Sequence, residues 1–416
     1  MTTTYVAATA PVRGRERMDT LDAVRGAAVL GILLANIYPL SGLAFVAPDA
    51  YRSLPLASWH EPLTFLIFVL IEAKFYSLFS FLFGVGFAVF ISRAAVRGTD
   101  AIRLFKRRLV GLLCIGLVHT VLIWMGDILV TYAVIGFALI PFTRKNDRTV
   151  LRWSAAMLLL PIVAYGLLLA IAAAGSSRGL QYSAAAGSTG SLPPFLQEAV
   201  RGFASGSYVD VVQGNVVFTL AQVARRFLLM FFPRVFGMFL LGFYVGRRNM
   251  FAELESHTTL LRRVLLWGAV TGLPLSYVGA RLEGNSMDFP NVLGFVETFV
   301  KSIGAPALAL AYAAGFCLLF QRARRWRRAF AAAGQMALTN YLLHSVAGVL
   351  IFYGIGFGLF GRVPLAIMIA GAIAFFALQT VASRLWLSRA AFGPAEWLWR
   401  MVTYGRGVPL FNAASR

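Results

Sequence analysis

Apolar residues run along this chain in blocks of about span length, and the polar positions collect between them. The stretches at residues 27–35, 63–90, 109–123 and 363–385 are too apolar, and mostly too long, for a soluble fold of this size. A bilayer core of roughly 30 Å needs about 20 apolar residues per helix. The pattern predicts about ten spans: residues 21–40, 63–91, 109–123, a fourth ending at Pro141, 153–173, 228–245, one following Arg262 and Arg263, one ending before Arg322, 336–357, and one ending near residue 387. The turn Trp124-Met125-Gly126-Asp127 joins the third span to the fourth. The second block is long enough to break into an outer helix over 61–71 and a span beginning near Phe75.

Charge orients these spans. Arg13, Arg15, Arg17 and Arg25 precede or begin the first. Arg93, Arg97, Arg103, Lys106, Arg107 and Arg108 separate the second from the third, opposed only by Asp100. Further clusters follow the fourth span (Arg144, Lys145, Arg148, Arg152), the sixth (Arg247, Arg248) and the eighth (Arg322, Arg324, Arg325, Arg327, Arg328), and Arg389, Arg400 and Arg406 lie in the tail. The intervening loops hold little net charge, with Asp49, Arg52 and Glu61 in one and Glu283 and Asp288 in another. On a ten-span count every large basic cluster falls on one side, which predicts two cytoplasmic termini. A span hidden in 175–227 would upset that count.

The expected fold is therefore an all-α integral membrane protein, a polytopic bundle. It divides into a tail (1–20), a five-helix half (21–174), an extracytoplasmic loop or set of interfacial helices (175–227), a second five-helix half (228–387) and a C-terminal tail (388–416).

Composition supports this. Hydrophobic residues make up 59% of the 416 positions, charged residues 13%, and the mean hydropathy is +0.74. A formal net charge of +21 suggests nucleic acid in a soluble protein. Here the arginines follow the positive-inside pattern, so no nucleic-acid partner is expected. Cys114 and Cys317 lie in apolar stretches and suggest neither a disulfide framework nor a metal site. There is no GxxxxGK[ST], HExxH or GxSxG, and no metal is predicted.

Polar groups inside apolar blocks ask for a partner or a role. His119 lies eight residues before Asp127, across the tight turn, and the two side chains can reach one depth. A histidine held by a carboxylate is poised as a general base, and the same pair serves equally as a clamp between helices. Glu72 and Lys74 are two apart, so on one continuous helix they face different ways. With a break between them they line an entry site, and a plain structural ion pair is the equal alternative to a substrate contact there. Asn36, Arg234, and Asn340, Tyr341, His344 and Ser345 in the ninth span are further polar points, and Asn340 and His344, four apart, share one face. Gly84, Gly86, Gly237 and Gly242 mark close helix packing, or subunit contacts, which leaves a homodimer open.

Several blocks resemble the YeiB-like bacterial membrane proteins. They are LDAVRGAAVLGILLANI, KFYSLFSFLFGVGF, RRLVGLLCIGLVHTVLIWMGDIL and PRVFGMFLLGFYVGR. GQMALTNYLLHSVAGVLIFYGIGFGLFGR and FGPAEWLWRMVTYGR resemble the domain of unknown function, DUF418, that defines that family. The resemblance implies a multi-pass protein of the bacterial inner membrane. The family is more distantly similar to transmembrane acyltransferases, including heparan-alpha-glucosaminide N-acetyltransferase. That likeness implies acyl transfer from a cytoplasmic acyl-CoA, such as acetyl-CoA, to a hydroxyl or amine of a sugar, amine or lipid-linked acceptor in the envelope. It puts catalysis on His119 and Asp127. The donor would lie by Arg25, Arg107, Arg108, Asn340 and His344, and the acceptor by Asn36, Glu72, Lys74 and Arg234. A transporter of a small or lipidic solute is the alternative.

Overall fold

The structure is a computed structural model describing residues 19–46, 51–174, 192–228, 230–251, 253–284, 290–405 and 407–411. Expectations for Arg13, Arg15, Arg17, Asp49, Asp288 and Arg406, and for 175–191, fall outside the described residues. Helices dominate, and among the described residues the one β contact is an isolated bridge between Ala390 and Phe411.

The helices run α1 (Asp19–Leu40), α2 (His60–Leu70), α3 (Lys74–Val96), α4 (Ala101–Leu122), α5 (Leu129–Ala138), α6 (Asp147–Ala174), α7 (Pro194–Ser205) and α8 (Tyr208–Leu228). They continue with α9 (Phe231–Arg247), α10 (Thr258–Arg281), α11 (Val292–Arg322), α12 (Arg324–Gln335), α13 (Ala337–Phe352), α14 (Leu365–Arg389) and α15 (Pro394–Tyr404). Five segments are long and apolar enough to cross a membrane: α1, Ala57–Val96 containing α2 and α3, α6, α11 and α14. The pair α12 and α13, bent by 74°, makes a sixth if taken as one span.

Local chemistry starts several of these helices. Asp100 accepts from the Arg103 amide to cap α4, and Asn291 accepts from the Gly294 amide to cap α11, each satisfying an otherwise orphaned N–H. Asp19 and Asp22 sit in the first turn of α1, where the helix dipole favours negative charge.

Large apolar side chains cover the outside. Val163, Leu167 and Ile171 on α6 and Leu378, Val381 and Leu385 on α14 all lie more than half exposed. In water such a surface would drive aggregation; against lipid tails it needs no cover. Such an exterior suits a bundle surrounded by lipid.

Glycines set the closest helix contacts. A Cβ on Gly84 of α3 would collide with the Phe239 carbonyl of α9, and one on Gly242 with the Phe81 carbonyl of α3. Gly237 lies against Leu158 and the Ser154 carbonyl of α6. Gly86 differs from the expected packing role: a Cβ there would meet only the Arg25 guanidinium, 4.0 Å away, and the position opens onto a cavity. At Gly26 and Gly334, which the sequence pattern does not mark, α1 and α12 meet backbone to backbone.

The second block does break. Residues 71–73 separate α2 from α3, and Ala73 takes a left-handed conformation with φ 66°. The segment 192–228 forms two packed helices, α7 and α8, with Phe203 buried against Gly214. The helix expected to reach residue 357 ends at Phe352, where Tyr353 turns extended and the Phe357 amide folds back onto the Leu350 carbonyl.

Basic clusters distant in sequence meet in space. Arg248 pairs with Asp147 at 2.9 Å and Arg247 donates to the Lys145 carbonyl. The Trp399 indole donates to the Arg108 carbonyl, seating α15 beside α4.

Candidate functional site

Two cavities penetrate the bundle and stop against one wall. The first, about 170 Å³, touches Arg25 and Val29 on α1 and residues 79–90 on α3. The second, about 270 Å³, touches Ala35 and Asn36 farther along α1 and residues 73–76 at the start of α3. They thus succeed one another along the same two helices. Ile32, Ile128 and Tyr341 line both and form the partition between them.

The Arg108 cavity has aromatic and aliphatic walls, among them Phe83, Phe87 and Phe105. Arg25, Arg108 and Arg400 line it too, with one carboxylate, Glu396. Arg25 pairs with Asp22 at 2.6 Å. The Arg108 guanidinium lies 4.0 Å from the centroid of the Trp399 ring, a cation–π contact that holds it in place. Arg107, expected beside it, is exposed on another face of α4 and lines neither cavity. Arg400, which the sequence reading used only as a topological marker, joins Arg25 and Arg108 instead.

The Lys74 cavity gathers all four residues expected at the acceptor: Asn36, Glu72, Lys74 and Arg234. The break at 71–73 explains how Glu72 and Lys74 come to share one space, since the left-handed Ala73 turns the chain between them. A second left-handed residue, Met230 with φ 51°, caps the start of α9, whose Phe231 and Arg234 line the same cavity. Each such non-glycine residue costs on the order of 1–2 kcal/mol, and strain of this kind clusters at functional sites. Arg226 and Lys301 also line the space. Arg226 donates to the Asp127 carbonyl, and Lys301 bridges Glu283 at 2.7 Å and Glu297 at 2.6 Å.

Behind the partition lies a hydrogen-bonded chain of three side chains. His119 Nδ1 is 2.9 Å from Asp127 Oδ1, and His119 Nε2 is 2.9 Å from Ser345 Oγ. A carboxylate only accepts, so the proton on Nδ1 points at Asp127, leaving Nε2 to accept from the Ser345 hydroxyl. Asp127 Oδ2 accepts the Val130 amide at 2.7 Å in the first turn of α5. All three residues are buried, and none lines either cavity. The Tyr341 ring, which walls both cavities, sits 5.1 Å from the imidazole. Ser345 is one helical turn beyond Tyr341 on α13, on the same face. The sequence reading named Ser345 as a polar point but had no signal linking it to His119, since the pair is 226 residues apart.

Asn340 and His344, expected at the donor, are engaged elsewhere. The Asn340 amide donates to the Ala333 carbonyl and to Ser383 Oγ, and His344 Nε2 is 2.7 Å from Gln379 Oε1. Both belong to a polar seam joining α13 to α14 and line neither cavity. Four apart on a helix they do share a face; that face meets a neighbouring helix.

The uncharacterized protein YxaH of Bacillus subtilis is 32% identical over 419 residues, covering 96% of this chain and 97% of that protein. The chain belongs to the YeiB-like DUF418 family. Residues 245–406 match the family described as a protein of unknown function, DUF418. An uncharacterized 39.9 kDa protein from the amylase 3' region of Bacillus acidopullulyticus is 31% identical over 96% of the chain and 97% of its own length. The uncharacterized protein YeiB of Escherichia coli is 28% identical over 96% of the chain and its full length. No solved structure matches. The matched region carries Arg247, α10 to α15, the partition residue Tyr341 and Ser345.

Proposed function

We propose that this protein is a membrane-embedded acyltransferase of the bacterial inner membrane, crossing the bilayer ten times with both termini cytoplasmic. It moves an acyl group, acetyl in the simplest case, from a cytoplasmic acyl-CoA to a hydroxyl or amine of an envelope acceptor. The observation that carries this reading is the Asp127–His119–Ser345 chain standing directly behind the wall where the two cavities meet.

The donor occupies the Arg108 cavity. Arg25, Arg108 and Arg400 receive the phosphates at the rim, and the apolar interior accepts the pantetheine arm with its thioester towards Tyr341. The acceptor occupies the Lys74 cavity. When the Tyr341 ring moves aside, the acceptor hydroxyl hands its proton to Ser345 Oγ as the Ser345 proton passes to His119 Nε2. The imidazolium so formed is stabilised by Asp127. The acceptor oxygen attacks the thioester carbonyl, and coenzyme A leaves as a thiolate that takes up the proton from the imidazolium. Catalysis rests on holding two reactants end to end in a dry channel.

The test is release of free thiol from acetyl-CoA by the purified protein in nanodiscs of bacterial lipid. His119→Ala should abolish it. Thiol release by folded His119→Ala protein at the parent rate sinks the proposal. Transport is the second reading, favoured by the broken helix at 71–73 beside a polar cavity. Gradient-dependent solute uptake with no thiol release would select it.

A further inference from the structure

The Lys74 cavity carries a charge imbalance that the acyl-transfer reading leaves unexplained. Its lining holds four cations, Lys74, Arg226, Arg234 and Lys301, against two carboxylates, Glu72 and Glu283. Glu297, bonded to Lys301 from behind, and Asp127, whose carbonyl Arg226 holds, stand outside that lining, so the space itself is faced by two more cations than carboxylates. Excess charge inside a membrane protein is costly and calls for a counter-charge.

Two donors in this cavity are not used up by the protein. Lys74 is 5% exposed, and among the described residues it makes one hydrogen bond, to the Phe68 carbonyl at 2.5 Å; an ammonium has three N–H donors. Ser276 is also 5% exposed, and its hydroxyl has no hydrogen-bond partner among the described residues. Buried hydroxyls in folded proteins are nearly always satisfied. Ser276 sits on α10 and Lys74 on α3, so two separate helices present unspent donors to one space.

We propose that the Lys74 cavity is a binding site for a phosphate group, and that the molecule it receives is anionic. Lys74 and Ser276 donate to the phosphate oxygens and Arg234 adds charge, while Glu72 and Asn36 face the uncharged polar part of the same molecule. The proposal depends on the acyl-transfer reading only in calling that molecule the acceptor. The phosphate has two sources, a phospholipid headgroup or a water-soluble phosphorylated polyol.

The experiment uses the full chain and two arms. In detergent, glycerol 3-phosphate is titrated by calorimetry with glycerol as the neutral control. In nanodiscs, retention of phosphatidylglycerol is compared with phosphatidylcholine by native mass spectrometry. The expected result is a preference of at least about tenfold, or 1.4 kcal/mol, for the anionic probe in one arm. Lys74→Gln should erase it and Ser276→Ala should reduce it. Preference in the first arm alone identifies a soluble phosphate; preference in the second alone identifies a lipid headgroup. No anionic preference in either arm, or one that both variants leave intact, overturns the proposal. Should Lys74→Gln not fold, Ser276→Ala and competition by inorganic phosphate on the parent protein decide it. Acetyl-CoA binding is measured on the same samples: retained with no anion preference, it sinks this site alone, whereas lost with the preference intact, it sinks acyl transfer alone.

Discussion

Ser345→Ala separates catalysis from architecture more cleanly than any change at His119. The substitution removes one hydroxyl and leaves the helix, the imidazole and Asp127 in place. In the folded protein Ser345 Oγ lies 2.9 Å from His119 Nε2, so its loss strands one buried acceptor. That costs about 1–3 kcal/mol of stability, a tolerable fraction of the total. If the hydroxyl relays the acceptor proton, turnover falls by general-base magnitude, about 10²–10⁴-fold, or about 2.7–5.4 kcal/mol in the barrier. The assay is thiol release per folded molecule, normalised by thermal unfolding in detergent and by binding of acetyl-CoA, which should stay unchanged. Ser345→Thr keeps the hydroxyl and should recover part of the rate. Turnover within about twofold of the parent in well-folded Ser345→Ala protein would refute the relay and leave the three residues as a clamp between α4, α5 and α13.

Three other substitutions probe separate parts of the account. Tyr341→Ala removes the ring that walls both cavities; acetyl-CoA hydrolysis without acceptor should rise, measured as acetate release, and an unchanged rate would argue against a partition there. Arg108→Ala removes a cation stacked on Trp399 and should raise KM for acetyl-CoA about tenfold, at roughly 1.4 kcal/mol, with little change in kcat. Gly242→Leu forces a side chain into the Phe81 carbonyl; overpacking of this kind costs about 1–3 kcal/mol or more, read as a lower unfolding temperature, and an unchanged temperature would contradict the close approach of α3 and α9.

The apolar blocks were legible because span length and composition are imposed by the bilayer. Residues 21–40 correspond closely to α1, and the break in the second block followed from its length alone. His119 and Asp127 were legible because a tight turn joins them. Ser345 was not, since nothing local relates positions so far apart, and Arg400 was not, because a tail arginine reads the same whether it lies in solvent or over a cavity rim. Asn340 and His344 show the opposite limit. Their spacing placed them correctly on one face, but periodicity does not say whether that face meets a cavity or Gln379 on α14. Arg226, near the end of α8, and Lys301, inside α11, were not legible, because a lone basic residue is unremarkable until Glu283, Glu297 or the Asp127 carbonyl is seen beside it.

The central claim is that a thioester donor enters between Arg25, Arg108 and Arg400 and stops at Tyr341. The most direct measurement is calorimetric titration of acetyl-CoA into the purified, monodisperse protein. The account predicts binding in roughly the micromolar range, competed by free coenzyme A and weakened by Arg108→Ala. No detectable binding to folded protein would contradict it and leave transport as the better reading of the two cavities.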